Sequence, residues 1–196
     1  PEAAKNIDIL IVRSTVVNAK TIEESIQLNL IVRAGAGVNN IAISAANKKG
    51  IYVANCPGKN SIAVAELVIG FMLALDRRIP HNVADFKAGK WNKGEYSKAE
   101  GLFGKTLAII GYGNIGKEVA KRAQALGMNI YAKDIFPVEG FGAKEFSEFD
   151  KVLPNADVVT VHLPQTPETK NLFDGKMFGY LKKGAIFINT SRSGVV

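Results

Sequence analysis

The run Thr106-Leu107-Ala108-Ile109-Ile110 leads without a spacer into Gly111-Tyr112-Gly113-Asn114-Ile115-Gly116. A short apolar run of this kind reads as a buried strand. The glycines stand at its carboxyl end, and a helical pattern opens at once. That order suits the pyrophosphate of a dinucleotide. The first glycine lets the strand turn sharply into the helix. The second lets the backbone approach the phosphates. The third lets the helix pack on the strand. The helix N-terminus then offers free N–H groups and a partial positive charge. Gly111, Gly113, Asn114, Ile115 and Gly116 are therefore candidate cofactor-binding residues.

Such a fingerprint is weak alone, and its surroundings decide. Residues 117–126 are helix-forming throughout, and Val119, Ala120, Ala123 and Leu126 are spaced as one apolar stripe. Gly127 is a stop signal. Asn129-Ile130-Tyr131-Ala132 reads as the next strand, and Asp134 ends it. An acid about 20 residues beyond the glycines is placed for the adenosine ribose hydroxyls. The same carboxylate favours NAD over NADP. Two like charges about 4 Å apart cost about 4 kcal/mol at an effective dielectric of about 20. Lys133 is adjacent and blurs that preference if it shares the face, although alternate strand residues point to opposite sides.

The chain has 196 residues, 47% of them apolar, enough for one large domain or two small lobes. The longest apolar candidate, Ile62 to Leu75, contains Glu66 and is too short to span a membrane. The stretch Pro1 to Lys5 has no signal-peptide character. A single cysteine, Cys56, excludes an internal disulfide framework and a cysteine-based metal cluster, and it points to a reducing cytoplasmic setting. The net charge of +7 comes from scattered lysines without interleaved aromatics, which argues against nucleic acid. A modest positive field steers anionic cofactors and substrates.

Strand and helix patterns alternate along the chain. Ile7 to Val12, Leu28 to Val32 and Ile51 to Val53 read as strands, with Thr21-Ile22-Glu23-Glu24 as a capping box opening a short helix and Ile41 to Lys49 as another. A long helix is predicted from Ser61 to about Arg78, with Pro80 kinking or ending it. Beyond the fingerprint, Asp157 to Val161 and Ala185 to Asn189 read as strands. The alternation indicates an α/β fold with a parallel sheet. Arg13-Ser14, Gly35-Ala36-Gly37, the fingerprint, Asp134, His162-Leu163-Pro164 and Thr190-Ser191-Arg192 all follow predicted strands. Ligands of open α/β sheets sit at such carboxyl ends, so a small-molecule site between two lobes is expected.

Several stretches in order resemble the D-isomer-specific 2-hydroxyacid dehydrogenases. They are residues 33–41, Asn60-Ser61 leading to Val64-Ala65-Glu66-Leu67, Gly104-Lys105-Thr106 into the fingerprint, His162-Leu163-Pro164 with Thr166, Lys170 and Asn171, and Lys183-Gly184-Ala185 into residues 188–192. The resemblance implies a Rossmann-type doubly wound parallel sheet at 59–196, incomplete at its C-terminus, and part of a flavodoxin-like α/β substrate lobe at 1–58. It implies NAD-dependent oxidation of 3-phosphoglycerate to 3-phosphooxypyruvate, with glyoxylate or hydroxypyruvate reduction and a non-catalytic, corepressor-like NAD-binding module as alternatives. By position Arg192 matches the catalytic arginine that grips the substrate carboxylate, a task suited to a planar guanidinium. Arg13, Ser14, Gly35, Ala36, Gly37 and Asn60 match substrate-binding positions. His162, Leu163, Pro164, Thr190, Ser191 and Arg192 match positions lining NAD.

The same resemblance puts a histidine and its carboxylate partner, the proton-transfer pair, after the arginine motif and beyond Val196. The chain therefore reads as a fragment of a longer enzyme. Ser193, Ala36 and Asn39 depart from common family residues. No metal is implied. The expected partners are a small anionic 2-hydroxy acid and a second copy of the chain, in a homodimer or higher oligomer, with no nucleic acid or membrane. Ile62, Val64, Leu67, Val68, Phe71, Met72 and Leu75 make the long helix apolar on more than one face, which fits a subunit contact.

Overall fold

The computed structural model describes residues 4–196; Pro1 to Ala3, part of the stretch read for signal character, lie outside the described residues. The chain forms two compact units, Pro1–Asn60 and Ser61–Val196. The division falls after Asn60 because the Pro57-Gly58 turn stays with the first unit and a long helix opens the second.

The first unit runs β1 (Ile9–Val12), α1 (Ala19–Glu23), β2 (Leu30–Arg33), α2 (Ile43–Lys49) and β3 (Tyr52–Asn55), with the strands parallel in the order β1-β2-β3. Side chains alternate across a strand. Leu10, Val12, Ile31 and Val53 thus share one face and pack with Ile22 of α1 and Ala46 of α2. Asn18, not Thr21, caps α1: its Oδ1 accepts the Thr21 N–H at 2.9 Å. Two residues here can cap a helix start, and the earlier one wins, leaving Thr21 inside the first turn. Gly50 ends α2 at φ +70°, a conformation other side chains resist.

The second unit begins with three helices, α3 (Ser61–Asp76), α4 (Ile79–Lys87) and α5 (Lys93–Tyr96). Pro80 opens α4, where its missing N–H costs nothing. The break before it falls on Arg78 at φ +52°, held by the Glu95 carboxylate. There follow β4 (Thr106–Ile110), α6 (Asn114–Ala125), β5 (Asn129–Lys133), β6 (Lys144–Glu145), α7 (Phe149–Val152), β7 (Val158–Val161), α8 (Gly175–Gly179) and β8 (Ile186–Asn189). The five strands are parallel in the order β6-β5-β4-β7-β8.

Alternate residues of these strands feed two cores. Leu107, Ile109, Ile130, Ala132, Val158 and Ile188 pack against α3 and α6 through Ala65, Val68, Met72, Val119, Ala120 and Ala123. Ala108, Ile110, Val159 and Val161 pack against Phe146, Leu153, Ala156 and Phe173. Both faces are therefore covered, as a parallel sheet requires, and the sheet is doubly wound. From β4 the chain moves outward to β5 and β6, then returns to β7 and β8 on the other side. The switch point lies between β4 and β7, where such sheets bind ligands. Among the described residues no helix is long and apolar enough to cross a membrane.

Candidate functional site

Register fixes which residues meet at the carboxyl edge of the larger sheet. Ile110 pairs with Lys133 and with Val161, and Val161 pairs with Asn189. The next residue of each strand is Gly111, Asp134, His162 or Thr190, side by side on four strands. The Gly111 N–H bonds the Lys133 carbonyl at 2.8 Å, and the His162 N–H bonds the Ile110 carbonyl at 2.7 Å.

The three glycines do three different jobs. Gly111 has φ +97°, and a Cβ there would stand 2.8 Å from the backbone of His162. A Cβ on Gly116 would stand 2.2 Å from the Gly111 carbonyl oxygen, so the buried face of α6 touches the turn with backbone alone. Gly113 differs. Its φ of −75° suits any residue, and no heavy atom lies within 4 Å of where its Cβ would stand. It caps α6 without a side chain and leaves the helix N-terminus open. Steric need inside the protein explains Gly111 and Gly116; Gly113 has no such need, and glycine there suits both the N-cap and a close approach of phosphates.

Asp134 is locked by backbone donors. Its Oδ2 accepts the Tyr112 N–H, and its Oδ1 accepts the N–H groups of Ile135 at 2.8 Å and Phe136 at 3.1 Å. Lys133 leaves on the other face. Its Nζ donates to the Ser147 carbonyl at 2.6 Å and lies 5.3 Å from the Phe149 ring centre. The lysine therefore does not offset the Asp134 charge locally.

His162 donates or accepts through Nε2 with the buried Thr160 hydroxyl at 3.0 Å. Burial lowers its pKa to about 4, so the imidazole is neutral at pH 7. Among the described residues, its buried Nδ1 has no hydrogen-bond partner, and neither does the buried Thr190 Oγ1 on the next strand. Buried polar atoms left single are uncommon. Two of them on adjacent strand ends beside an uncapped helix fit a polar dinucleotide. Leu163 and Pro164 follow His162, and the Leu163 side chain would touch a Cβ on Gly111 at 3.2 Å.

Thr190, Ser191 and Arg192 form a turn that Asn189 organises. The Asn189 Oδ1 accepts the Ser191 N–H at 2.9 Å and the Ser191 hydroxyl at 2.7 Å, while its Nδ2 donates to the Arg192 carbonyl at 2.9 Å. One guanidinium nitrogen of Arg192 donates to the Ser191 carbonyl at 2.8 Å. Sequence reading singled out the three turn residues and missed the asparagine that shapes them. Its signal was an Asx residue at a strand end, which favours a turn.

In the first unit Arg13 and Ser14 follow β1, and Gly35, Ala36 and Gly37 follow β2. Asn40 ties the two loops: its Nδ2 donates to the Thr15 carbonyl and its carbonyl accepts the Val17 N–H, both at 2.8 Å. Asn60 stands apart, after the turn beyond β3 and just before α3. Arg33, the last residue of β2, lays its guanidinium over Gly35. A Cβ on Gly35 would fall 1.3 Å from Nη1. The Arg33 Nε is buried without a partner among the described residues.

A doubly wound sheet with a glycine fingerprint at its switch point and an acid ending the next strand is a dinucleotide-binding fold. Residues 69–196 match the family model "D-isomer specific 2-hydroxyacid dehydrogenase, NAD binding domain". The chain is 42% identical over 200 residues to a D-3-phosphoglycerate dehydrogenase of Methanocaldococcus jannaschii, covering 100% of this chain and 38% of that protein. It is also 42% identical to a hydroxypyruvate reductase of Thermotoga maritima, over 97% of this chain and 62% of that one. The NAD-bound crystal structure of 3-phosphoglycerate dehydrogenase from Entamoeba histolytica superimposes with a TM-score of 0.83 at 34% identity, covering 100% of this chain and 59% of that one. The chain thus spans less than two thirds of these relatives. It belongs to the D-isomer-specific 2-hydroxyacid dehydrogenase family, and its cofactor is NAD.

The glycine roles are separable. Gly113→Ala should cost no more than about 1 kcal/mol of stability, the scale of an N-cap change, and weaken NADH binding about tenfold, or about 1.4 kcal/mol. Gly116→Ala should cost roughly 2 kcal/mol of stability by overpacking. Parallel unfolding curves and NADH fluorescence titrations distinguish the two, and a Gly113→Ala chain with normal NADH affinity would contradict this division of roles.

The lowered His162 pKa carries a pH signature. The unfolded chain binds this proton near pH 6.5 and the folded chain only near pH 4, so stability rises with pH across that window. The contribution lost on acidification is at most about 3.5 kcal/mol. His162→Gln should flatten the dependence of the denaturation midpoint between pH 4 and 6.5; a slope equal to that of the unsubstituted chain would refute a neutral buried imidazole.

Proposed function

We propose that the protein containing this chain oxidises 3-phosphoglycerate to 3-phosphooxypyruvate with NAD. The observation that carries the reading is Arg192 in the Asn189-shaped turn at the end of β8, in the same row of strand ends as the fingerprint. The identity to a D-3-phosphoglycerate dehydrogenase over the whole chain supports the choice of substrate. Held by the fingerprint and Asp134, NAD would supply the acceptor for the hydride that leaves C2 of the hydroxy acid. Arg192 is assigned the substrate carboxylate and, through it, orientation of C2. As the C2–H bond breaks, the hydroxyl proton passes to a base and the C=O bond forms. His162 is a poor choice for that base, because it is neutral, buried and engaged through Nε2 with Thr160. We assign the base to a histidine with a carboxylate partner outside this chain.

Arg13, Ser14, Gly35, Ala36, Gly37 and Asn60 are assigned to substrate binding. Backbone N–H groups of a glycine-rich loop suit an anion, and Arg33 adds a cation above that loop. The equal identity to a hydroxypyruvate reductase favours a second reading, reduction of a 2-oxo acid without the phosphate. A cytoplasmic setting fits one cysteine and NAD chemistry.

In the full-length protein, Arg192→Ala should lower kcat/KM by roughly a hundredfold, about 3 kcal/mol, the scale for removing one partner of a buried charge pair. Unchanged turnover would remove Arg192 from the site. Comparing phosphooxypyruvate with hydroxypyruvate as substrates decides between the two readings.

The exposed side of α3 supports a homodimer. Ile62, Leu67, Phe71 and Leu75 remain 55%, 49%, 43% and 54% accessible while Ala65, Val68 and Met72 fill the core. Light scattering of the full-length protein should give a dimer or larger, and a charged residue at Phe71 should release monomer; a monomeric unsubstituted protein would contradict this contact.

A further inference from the structure

Tyr112 occupies a position that the fingerprint leaves open to any residue, yet it is 3% accessible and bonded at both ends. Its N–H donates to Asp134 Oδ2. Its hydroxyl donates to the Gly140 carbonyl at 3.0 Å. Burial raises the phenol pKa, so the proton that makes this bond is retained. The residue therefore joins the fingerprint to both ends of the segment that leaves β5.

That segment is held in a disfavoured shape. Gly140, Phe141 and Gly142 have φ of +87°, +53° and +66°, three left-handed residues in succession. An aromatic residue resists this conformation, and such a turn persists only where its surroundings hold it. Phe141 and Val138 hold it from inside, packed against the core around α6. The Tyr112 hydroxyl holds it at Gly140.

Acceptor capacity at Asp134 is also restricted. A carboxylate offers about four lone-pair positions. Two on Oδ1 go to Ile135 and Phe136, and one on Oδ2 goes to Tyr112. The position left for a ribose hydroxyl is on the oxygen that Tyr112 fixes.

We propose that Tyr112 sets the preference for NAD over NADP by fixing Asp134. It is a positioning residue: its backbone orients the carboxylate, and its phenol keeps the 134–142 segment from swinging aside to admit a 2′-phosphate. This rests on the assignment of the fingerprint and Asp134 to NAD.

The test is a set of titrations of the 196-residue chain with NADH and NADPH. Tyr112→Phe keeps the ring and removes only the tether. The dissociation constant for NADH should rise about three- to tenfold, the scale of one hydrogen bond, while that for NADPH changes less, so the ratio between them shrinks. In an Asp134→Ala background the same substitution should no longer move the ratio. Equal weakening of both cofactors, or a shift that persists without Asp134, would overturn the inference and leave the NAD site intact. Failure of the unsubstituted chain to bind NADH would overturn the site assignment and this inference with it.

Discussion

At the end of β4 the backbone turns where two Cβ atoms would collide with main chain, one against His162 and one against the Gly111 carbonyl. Much of the larger unit follows from that contact. Because Gly116 lies against Gly111, only three residues separate the strand end at Ile110 from the start of α6 at Asn114. Its N-terminus points along the carboxyl edge, with Gly113 adding no side chain. Because Gly111 lies against His162, β4 and β7 stay in register up to the switch point. The packing that closes the fold is thus the same packing that leaves the N-terminus of α6 open. Helix dipole and free N–H groups are aimed by sterics, with no charged side chain required.

Charge enters one strand away. Asp134 is an acid among backbone donors, and the only nearby lysine in sequence, Lys133, is drawn to the opposite face by Ser147, Phe146 and Phe149. The alternation of a strand therefore separates the two charges, and the negative one stays beside the fingerprint. Asp134 also serves the fold, since the same carboxylate closes its own turn through Ile135 and Phe136.

Local signals were the legible ones. The fingerprint, the stripe of Val119, Ala120 and Ala123, and Asp134 lie within one strand–helix–strand unit, where spacing alone fixes geometry. Family resemblance extended the reading to Arg192. What escaped depends on competition or on distant contacts. Asn18 and Thr21 compete for one cap, and either is a good cap residue. The pair Lys144–Glu145 is too short and too charged to announce β6; it exists because β5 offers an edge. The tether from Tyr112 to Gly140 joins residues far apart in sequence, and neither residue type advertises it.

Arg33 and Arg192 follow one structural logic in separate units. Each lies at or just past the carboxyl end of a parallel strand, β2 or β8, and each guanidinium leans on its own loop: Arg33 over Gly35, Arg192 toward the Ser191 carbonyl. A long side chain held this way loses less rotamer freedom when an anion arrives. The loops are themselves braced by asparagines, Asn40 in the first unit and Asn189 in the second, each spending side-chain hydrogen bonds on neighbouring backbone. At Asn189 one amide both donates and accepts, whereas the Asn40 side chain braces by donation alone. Substituting aspartate at either position would lose the donor and add a negative charge to the loop. The shape of both arginine-bearing loops therefore depends on uncharged side chains bonded to backbone.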